Sequence, residues 1–367
     1  MKRLDRRPAL ILALVSMALL VGALTGEAAP ASRVEHAVRK GLAYLRRTQQ
    51  KDGSWQRYPG ITAMAVLGFL RNGVTEKDPA VAKAIKYIVA QAKPDGALYT
   101  NAYGPAQALP NYNTALCVLA LKATGNPRYQ PLLLKARAFL VRSQFDEGEG
   151  FKRSDRQYGG IGYGKHEDNP DVSNLQQALE ALRATDLPAN DPLWQKAILF
   201  LQRCQNRKES NDQSWAGTDG GFVYAANGES KADPLTGRAH SSYGSMTYAG
   251  LKSYLYAGVS RKDPRAQAAF GWIRRHYTVS QNPGMGDAGL YYYYHTMGKT
   301  LAVYGQKALT DAAGKRHVWA RDLTNALVAR QQADGSWVNR NARWREDDPH
   351  LVTGYVLVTL ANCRPQL

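Results

Sequence analysis

The sequence predicts an all-α protein in which six helical hairpins close into a ring, an (α/α)6 toroid. The first observation is a phrase that occurs twice, as Gln49–Trp55 near one end and as Gln331–Trp337 near the other. Each copy follows one apolar helical stretch and precedes another, and such self-similarity indicates a repeat architecture. The second observation is that amphipathic and largely apolar helical stretches alternate along the chain, as in hairpins that stack on their neighbours.

The amphipathic stretches share a pattern of basic, aromatic, aliphatic and glutamine residues followed by a glycine. In the first repeat the pattern comprises Lys40, Gly41, Tyr44, Leu45, Gln49, Gly53 and Trp55. This spacing places the first five positions on a helix, with the glutamine near its end and the glycine breaking it. Similar but weaker patterns predict six repeats, over residues 33–74, 78–124, 128–186, 190–259, 262–309 and 315–363.

Each repeat continues with a second stretch that is apolar on most sides, which is typical of a buried helix. The six stretches are Thr62–Leu67, Thr114–Leu119, Asn174–Leu179, Met246–Leu251, Thr296–Leu301 and Thr353–Val358. Each repeat therefore supplies an outer amphipathic helix and an inner buried helix. The related phrases at the two ends favour a closed ring, because a closed ring has no terminal capping repeat.

Residues 1–31 have the pattern of a secretory signal peptide. Four basic residues precede an uncharged run of 16 residues over positions 9–24, and small residues end at Ala31. The run is shorter than the roughly 20 residues that a membrane-spanning helix needs. We therefore expect a secreted or periplasmic protein with one toroid domain over residues 32–367 and no transmembrane segment after cleavage.

Charge and cysteine content narrow the possible partners. Residues 1–31 hold four of the 48 basic and two of the 30 acidic residues, so the mature chain carries 44 and 28 and a net charge of +16. The basic residues are dispersed and no nucleic-acid motif occurs, so we expect no nucleic-acid partner. Three cysteines do not make a disulfide framework. Cys117 and Cys204 lie in apolar stretches and are expected to be core residues, with a bridge between them as the alternative.

The pattern of Lys-Gly or Lys-Ala, aromatic-Leu, Gln and Gly-x-Trp is complete in the first repeat. In this pattern the chain resembles the squalene and oxidosqualene cyclases, whose QW repeat has the same form. Protein prenyltransferase β-subunits share their fold. The resemblance covers residues 33–363 and implies a toroid whose inner helices run parallel around a central cavity. It also implies that the glutamines and tryptophans connect neighbouring repeats on the outside, which is a structural role.

In such a toroid the N-termini of all inner helices open at one mouth, where the last residues of each loop converge. Counting back from the aligned inner stretches places these candidate ligand-binding residues there: Asn111, Asn113, Asp171, Ser173, Tyr243, Tyr293, His295 and His350. Helix N-termini also favour anionic groups. The alternative is that Asn113, Asp171 and Ser173 only cap their helices.

Squalene cyclases protonate an alkene with an Asp-x-Asp-Asp motif at the start of an inner helix, and its central Asp must be neutral and strongly acidic. By resemblance, Asp171 matches the first Asp, whereas Ser173 and Asn174 occupy the other two positions. Neither a hydroxyl nor an amide delivers the proton of a strong acid. The chain is also one toroid long, whereas those cyclases use two. Asp171 is therefore the candidate catalytic residue, and Asn174 joins the candidate ligand-binding residues.

Protein prenyltransferases hold zinc with an Asp-x-Cys and, one repeat later, a His in a Tyr-His-Thr context. The segment Tyr294–Thr296 matches the last part, but Ser241 and Tyr243 occupy the Asp and Cys positions. Zinc needs three or four nitrogen, sulfur or carboxylate ligands. We therefore expect no metal and no cofactor.

The run Tyr291–Tyr294 faces all directions on a helix, so about two of its side chains are expected to enter the cavity. An aromatic cavity suits an isoprenoid, because ring faces stabilise cations, and equally suits a sugar that stacks on the rings. Paired carboxylates could instead hydrolyse a glycan. The candidate partners of Asp171 for that reaction are Asp168, Asp287, Asp347 and Asp348. The charged run over residues 345–350 is otherwise expected to be solvated.

Three functions remain open from the sequence. The first is an exported binding or scaffold toroid with an isoprenoid, another lipid or a glycan at the cavity mouth, which the missing acid and zinc ligands favour. The second is a diverged terpenoid-cyclase-like enzyme that acts on an isoprenoid. The third is a carbohydrate-active hydrolase or lyase. The sequence leaves the oligomeric state open.

Overall fold

The computed structural model describes residues 30–164 and 169–367. The predicted signal peptide lies outside these residues except for its last two, which open the first helix at Pro30. Within the two described ranges, no helix is both long enough and apolar enough to cross a membrane.

In the described residues, twelve helices of 11 residues or more alternate between an outer and an inner ring. The outer helices are α1 (Pro30–Thr48), α3 (Pro79–Val89), α5 (Gln130–Arg142), α7 (Pro192–Arg203), α9 (Pro264–Arg275) and α11 (Trp319–Ala329). The inner helices are α2 (Pro59–Arg71), α4 (Pro110–Ala123), α6 (Val172–Ala184), α8 (Gly244–Tyr256), α10 (Leu290–Tyr304) and α12 (Pro349–Cys363).

Short elements occupy several of the connections. A single helical turn covers Asp233–Thr236, and strands β1 (Leu309–Thr310) and β2 (Arg316–His317) pair antiparallel between α10 and α11. Short 3-10 helices cover Pro105–Gln107, Pro127–Tyr129, Glu147–Glu149, Arg343–Arg345 and Arg364–Gln366. These segments belong to the loops of the toroid and add no further layer to it.

The inner helices pack side by side in chain order, and α12 completes the ring by packing against α2. Inner helices are apolar nearly all round, and α12 is buried without interruption from Leu351 to Leu360. Outer helices bury one face, as α3 does with Val81, Ile85 and Ile88. This division follows from the sequence pattern, since a helix that is apolar on all sides needs neighbours on all sides. The predicted all-α toroid is confirmed.

Three outer helices begin with the same pair of residues, an aspartate followed by a proline. Asp78, Asp191 and Asp263 each accept a hydrogen bond at 2.9 Å from the backbone N–H two residues later. The proline that follows has no N–H, and the first helical turn would leave that group without an intrahelical partner. The Asp-Pro pairs therefore fix where α3, α7 and α9 begin.

A glutamine at the end of several outer helices joins that helix to the next one around the ring. The Gln49 amide donates to the carbonyl of Gly53 in its own loop at 2.9 Å and to that of Ala80 in α3 at 2.7 Å. The Gln331 amide donates at 2.9 Å to the carbonyl of Ala37, which connects the last outer helix with the first. Equivalent bonds join Gln144 to Leu193 and Gln205 to Arg265.

Trp55 packs beside this connection. Its side chain is 0% exposed, and its Nε1 donates to the Leu45 carbonyl at 3.1 Å. Its backbone N–H donates to Thr62 Oγ1 at 3.1 Å, which fixes the inner helix α2 to the outer layer. Gly53, with a φ of +90°, passes so close to α3 that a Cβ atom would lie 2.5 Å from the Lys83 carbonyl oxygen. A side chain at this position would therefore force neighbouring repeats apart.

Trp55→Ala is expected to lower the free energy of unfolding by about 3 kcal/mol or more, because it leaves a cavity in closed packing between repeats. Trp344→Ala is the matched control, since Trp344 is 42% exposed and its truncation should cost about 1 kcal/mol or less. Urea unfolding followed by circular dichroism compares the two variants. Equal losses of stability would contradict a packing role for Trp55.

Candidate functional site

The starts of the inner helices and the loops before them surround a cavity of about 260 Å³. All six inner helices contribute to its wall, as expected where parallel helices begin at one end of a ring. Eight aromatic residues line it: Tyr58, Tyr112, Tyr163, Tyr224, Tyr243, Tyr292, Trp344 and Tyr355. Five aliphatic residues complete the apolar wall: Ile61, Leu109, Leu116, Met246 and Leu351.

Hydroxyl groups at the cavity wall bind one another. The Tyr112 and Tyr355 hydroxyls are 3.2 Å apart, and Ser173 Oγ lies 2.8 Å from the Tyr292 hydroxyl. The Gln176 amide, one turn deeper in α6, donates to the same Tyr292 oxygen at 2.6 Å. Burial raises the pKa of Tyr292 and Tyr355 far above the usual tyrosine value, so both hydroxyls keep their protons. The wall is therefore apolar with a few neutral hydrogen-bonding groups.

Asp171, the candidate catalytic residue, lies at the N-terminus of α6 and is 1% exposed. Its Oδ1 accepts from the backbone N–H of Asn174 at 2.8 Å, and its Oδ2 accepts from the Asn174 side chain at 2.6 Å. Burial raises the pKa of Asp171 to about 6, and the hydrogen bonds from Asn174 and Tyr224 act in the opposite direction. Asp171 thus caps its helix behind the cavity wall, while its neighbour Ser173 faces the cavity.

Asn111 and Asn113 are buried, and their amides bind backbone groups. Asn113 Oδ1 accepts from the Gly60 N–H at 2.8 Å, and its Nδ2 donates to the Ala108 carbonyl at 2.7 Å. Asn111 Nδ2 donates to the Gly162 carbonyl at 2.9 Å. These contacts hold α2, α4 and the loop before α6 together, which is a positioning role beside the cavity.

The tyrosines of the predicted ring lie in two different environments. Tyr243, at the start of α8, lines the cavity. In the run Tyr291–Tyr294, Tyr292 lines the cavity, one residue rather than about two. Tyr293 points away and donates from its hydroxyl to the Thr278 carbonyl at 2.7 Å. Consecutive residues on a helix are about 100° apart, so the wall of one cavity selects one residue of such a run.

The two histidines of the predicted ring also lie apart. His350 Nδ1 is 2.9 Å from Asp348 Oδ1, and the imidazole stacks on Tyr44 of the outer helix α1. His295 is buried one turn deeper in α10 than Tyr292, and its ring centroid lies 5.0 Å from that of Tyr355. The structure therefore brings Ser173 and Tyr243 into the cavity wall and leaves both histidines outside it.

Glu346 lines the cavity and was not among the sequence-predicted site residues. It is 0% exposed, and its carboxylate accepts from the backbone N–H groups of Tyr291 at 3.2 Å and Tyr292 at 2.7 Å, which caps α10. Burial raises the pKa of Glu346 and these hydrogen bonds oppose the rise. The charged run over residues 345–350 was expected to be solvated, which is wrong for Glu346 because the exposed N-terminus of α10 attracts its carboxylate.

Neighbouring residues of the same loop shape the cavity mouth. Trp344 and Arg345 both line the cavity and have positive φ values of 57° and 62°. The Arg345 guanidinium lies 5.3 Å from the centre of the Tyr58 ring, across the mouth. A left-handed backbone is uncommon for residues other than glycine and is often found at functional sites.

Cysteine and metal chemistry contribute little to this site. Cys117, Cys204 and Cys363 are all free and buried, which agrees with their assignment to the core. Across residues 30–164 and 169–367, no three His, Cys, Asp or Glu side chains form a group that could hold a metal ion.

Comparisons with known proteins agree with this architecture. Residues 59–225 match the family model of the squalene-hopene cyclase C-terminal domain. A probable squalene–hopene cyclase from Sinorhizobium fredii is 29% identical over 125 residues, which are 30% of this chain and 19% of that protein. The type II terpene cyclase MstE from Scytonema, in complex with geranylgeranyl dihydroxybenzoate, superposes with a TM-score of 0.55. The chain is a squalene-cyclase-like toroid.

The structural likeness to MstE extends over nearly the whole of both chains. In the substrate complex it covers 92% of this toroid and 99% of MstE at 12% identity, and apo MstE gives the same TM-score of 0.55 at 13% identity. The contrast between one toroid here and two in squalene cyclases is therefore no reason to exclude cyclisation. The squalene–hopene cyclase match, in turn, spans less than a fifth of that enzyme.

Other candidate residues of this cyclase-like toroid are outside the comparison of geometry. Asp168, a candidate partner of Asp171, belongs to residues 165–168, which are not described. Asp348 accepts from the backbone N–H of His350 at 2.9 Å and so caps α12.

Asp171→Asn is expected to stabilise the protein at pH 8 relative to the wild type. Burial raises the pKa of Asp171 from 3.8 to about 6, so its ionisation destabilises the folded state by at most roughly 3 kcal/mol. The wild type loses this contribution as the pH rises from about 4 through 6, whereas the asparagine variant does not. Asparagine also keeps an oxygen that can accept from the Asn174 N–H.

Urea unfolding of both proteins at pH 4.5 and pH 8 measures this effect. The difference in free energy of unfolding between variant and wild type should increase with pH, which separates Asp171 from all other titrating groups. A difference that is independent of pH would contradict the raised pKa.

Proposed function

We propose that this toroid binds an isoprenoid molecule in its aromatic cavity and does not cyclise it. The observation that carries the proposal is the cavity wall, in which eight aromatic and five aliphatic residues converge from the whole ring. Apolar pockets with a few placed polar groups are typical small-molecule sites, and burial of apolar surface is the main favourable term in such binding. The similar fold of MstE holds geranylgeranyl dihydroxybenzoate, which supports an isoprenoid as the ligand class.

The polar groups of the wall favour an isoprenoid over a glycan. A sugar offers many hydroxyl groups, and each needs a partner when it is buried. In this cavity the Tyr112 and Tyr355 hydroxyls already bind each other, as do those of Ser173 and Tyr292. An apolar chain leaves these bonds intact, so it fits the cavity with less loss of hydrogen bonding than a sugar does.

The surroundings of Asp171 favour binding over cyclisation. Protonation of an alkene takes a neutral acid that faces the substrate. Both oxygens of Asp171 accept hydrogen bonds from Asn174, which is the role of a carboxylate. Ser173, which faces the cavity at the position of the central acid, lies against the Tyr292 hydroxyl.

A terpenoid-cyclase-like enzyme is the second candidate, and the pKa of Asp171 is the observation that favours it. Burial raises that pKa to about 6, so the carboxyl is neutral in mildly acidic surroundings. The charge of Asp171 acts on Tyr163 and Tyr224, and both of these side chains line the cavity. In this case Asp171 would be the general acid.

The proposed place of action is outside the cytoplasm, in the periplasm or the medium. The support is the signal-peptide pattern of residues 1–31, with its basic start and its short apolar run. Determination of the N-terminal residue of the exported protein tests this assignment, and an N-terminus near Ser32 is the expected result.

Farnesol is expected to change the fluorescence of Trp344, because this is the tryptophan in the cavity wall. The change should saturate in the wild type and be absent from Trp344→Phe. Leu351→Phe adds bulk to the wall and should weaken binding about tenfold or more, a loss of roughly 1.4 kcal/mol. Leu235→Phe is the matched control, since Leu235 is 56% exposed and lies outside the wall. Equal affinities of these two leucine variants would contradict binding in the cavity.

Extraction and mass spectrometry after incubation with farnesol or squalene distinguish the two candidate functions. A binding protein returns each isoprenoid unchanged, which is the expected result. Formation of a cyclised product by the wild type, together with its loss in Asp171→Asn, would overturn the binding function and establish Asp171 as the acid. Incubation at pH 5 and pH 8 makes the test complete, since Asp171 is protonated at the lower pH.

A further inference from the structure

Beneath the aromatic cavity lies a layer of buried polar side chains without partners. Among the described residues, neither ring nitrogen of His295 and neither amide atom of Gln177 has a hydrogen-bond partner, and Gln176 Oε1 has none. All three residues are at most 1% exposed. A buried polar group without a partner costs about 1–3 kcal/mol. Native proteins rarely keep several such groups together unless something binds them.

Contacts at both ends of two inner helices locate this layer. Ser173 of α6 and Tyr292 of α10 line the cavity with hydroxyl oxygens 2.8 Å apart. Seven residues further along the same two helices, Glu180 and Lys299 form an ion pair. Side chains at i, i+3 or i+4 and i+7 share one face of a helix. His295 and the two glutamines therefore lie between the cavity and the ion pair, and we name this level the polar layer.

The ion pair below the polar layer carries an excess of positive charge. Glu180 binds Lys252 Nζ at 2.8 Å in addition to Lys299, and the Lys252 side chain is 0% exposed. Burial and then the two lysines lower the pKa of His295 well below its usual value, so the imidazole is neutral. Burial lowers the pKa of Lys252 to about 8, which still leaves this amine mainly charged at pH 7. Two ammonium groups thus share one carboxylate, and a buried charge of this kind is costly without a counter-charge.

We propose that the polar layer binds the head group of the cavity's ligand, and that this head group is a carboxylate. The inference rests on the proposed binding of an isoprenoid. The carboxylate oxygens accept from the His295 imidazole and the Gln177 amide, and the negative charge balances the two lysines. Tyr355 links the two regions, because it lines the cavity while its ring lies 5.0 Å from that of His295.

A carboxylate fits this layer better than a neutral head group does. An alcohol satisfies one or two of the unpartnered groups but leaves the excess charge of Lys252 and Lys299 unbalanced. Hydrogen bonds to a charged acceptor are about twice as strong as those between neutral groups. Water also satisfies polar atoms in a buried space, and it too leaves the charge unbalanced. Charge on the ligand is therefore the property that separates these alternatives.

Three probes with the same 15-carbon chain test the inference on the unaltered mature protein: farnesoic acid, farnesol and farnesene. Their dissociation constants at pH 7.5 are measured through Trp344 fluorescence. The acid is expected to bind at least about tenfold more tightly than farnesol and farnesene. Equal affinities for all three would overturn the carboxylate site, with only water in the polar layer, and leave isoprenoid binding in place. Failure of all three to bind would overturn the proposed function itself.

Lys299→Met tests the role of the charge directly. It should reduce the affinity for farnesoic acid to that for farnesol and leave the affinity for farnesene unchanged. Lys122→Met is the matched control, because Lys122 also pairs with a carboxylate, that of Asp186, but at the exposed surface. Loss of farnesene binding in Lys299→Met would contradict a role limited to the head group. Should this variant fail to fold, the comparison of the three probes on the wild type still decides the inference.

Discussion

The structure depends on the amide bridges between outer helices, and above all on the bond from Gln331 to the Ala37 carbonyl. This bond joins residues 294 positions apart in the sequence and turns a stack of hairpins into a closed ring. An open stack would leave the apolar faces of its end repeats uncovered. Closure instead buries α2 against α12 and places Ile61 and Leu351, from the first and last repeats, in one cavity wall.

The ring interior changes in character from one end to the other. At the mouth, aromatic and aliphatic side chains form the cavity wall, and deeper in the ring the same inner helices present amides, an imidazole and ionised groups. Both regions lie on one face of α6 and one face of α10, so a single helix spacing produces both. A molecule with one apolar end and one charged end matches this order, whereas a uniformly polar or uniformly apolar molecule matches half of it.

The fold could be predicted from the sequence because its signals are periodic, and the site could be predicted only in part because its signals are not. Counting back along aligned helices gives the level of a residue but not the direction of its side chain. This explains why Ser173 and Tyr243 reach the cavity wall while Asn113, at a similar level, binds backbone. A repeated spacing of three or four between polar residues in an apolar helix, as at Tyr292 and His295, was available and indicates the inward face.

Glu346 had no local signature, because it caps a helix that begins more than 50 residues earlier in the chain. The capping role is visible only once the loop before α12 and the start of α10 are side by side. Loop residues that act on distant elements are thus the part of this site that depends on tertiary structure. The raised pKa of Asp171 belongs to the same class, since it follows from burial and not from neighbouring sequence.

Ring closure also dictates the order in which this protein can reach its native state. The partner of α2 is α12, the last long helix to be made, so the apolar side of the first inner helix stays uncovered until synthesis is almost complete. Contacts between such distant segments form slowly, and uncovered apolar surface promotes aggregation in the meantime. A chain of this design therefore needs protection by a chaperone for longer than a linear solenoid of equal length, in which each new repeat covers the one before it.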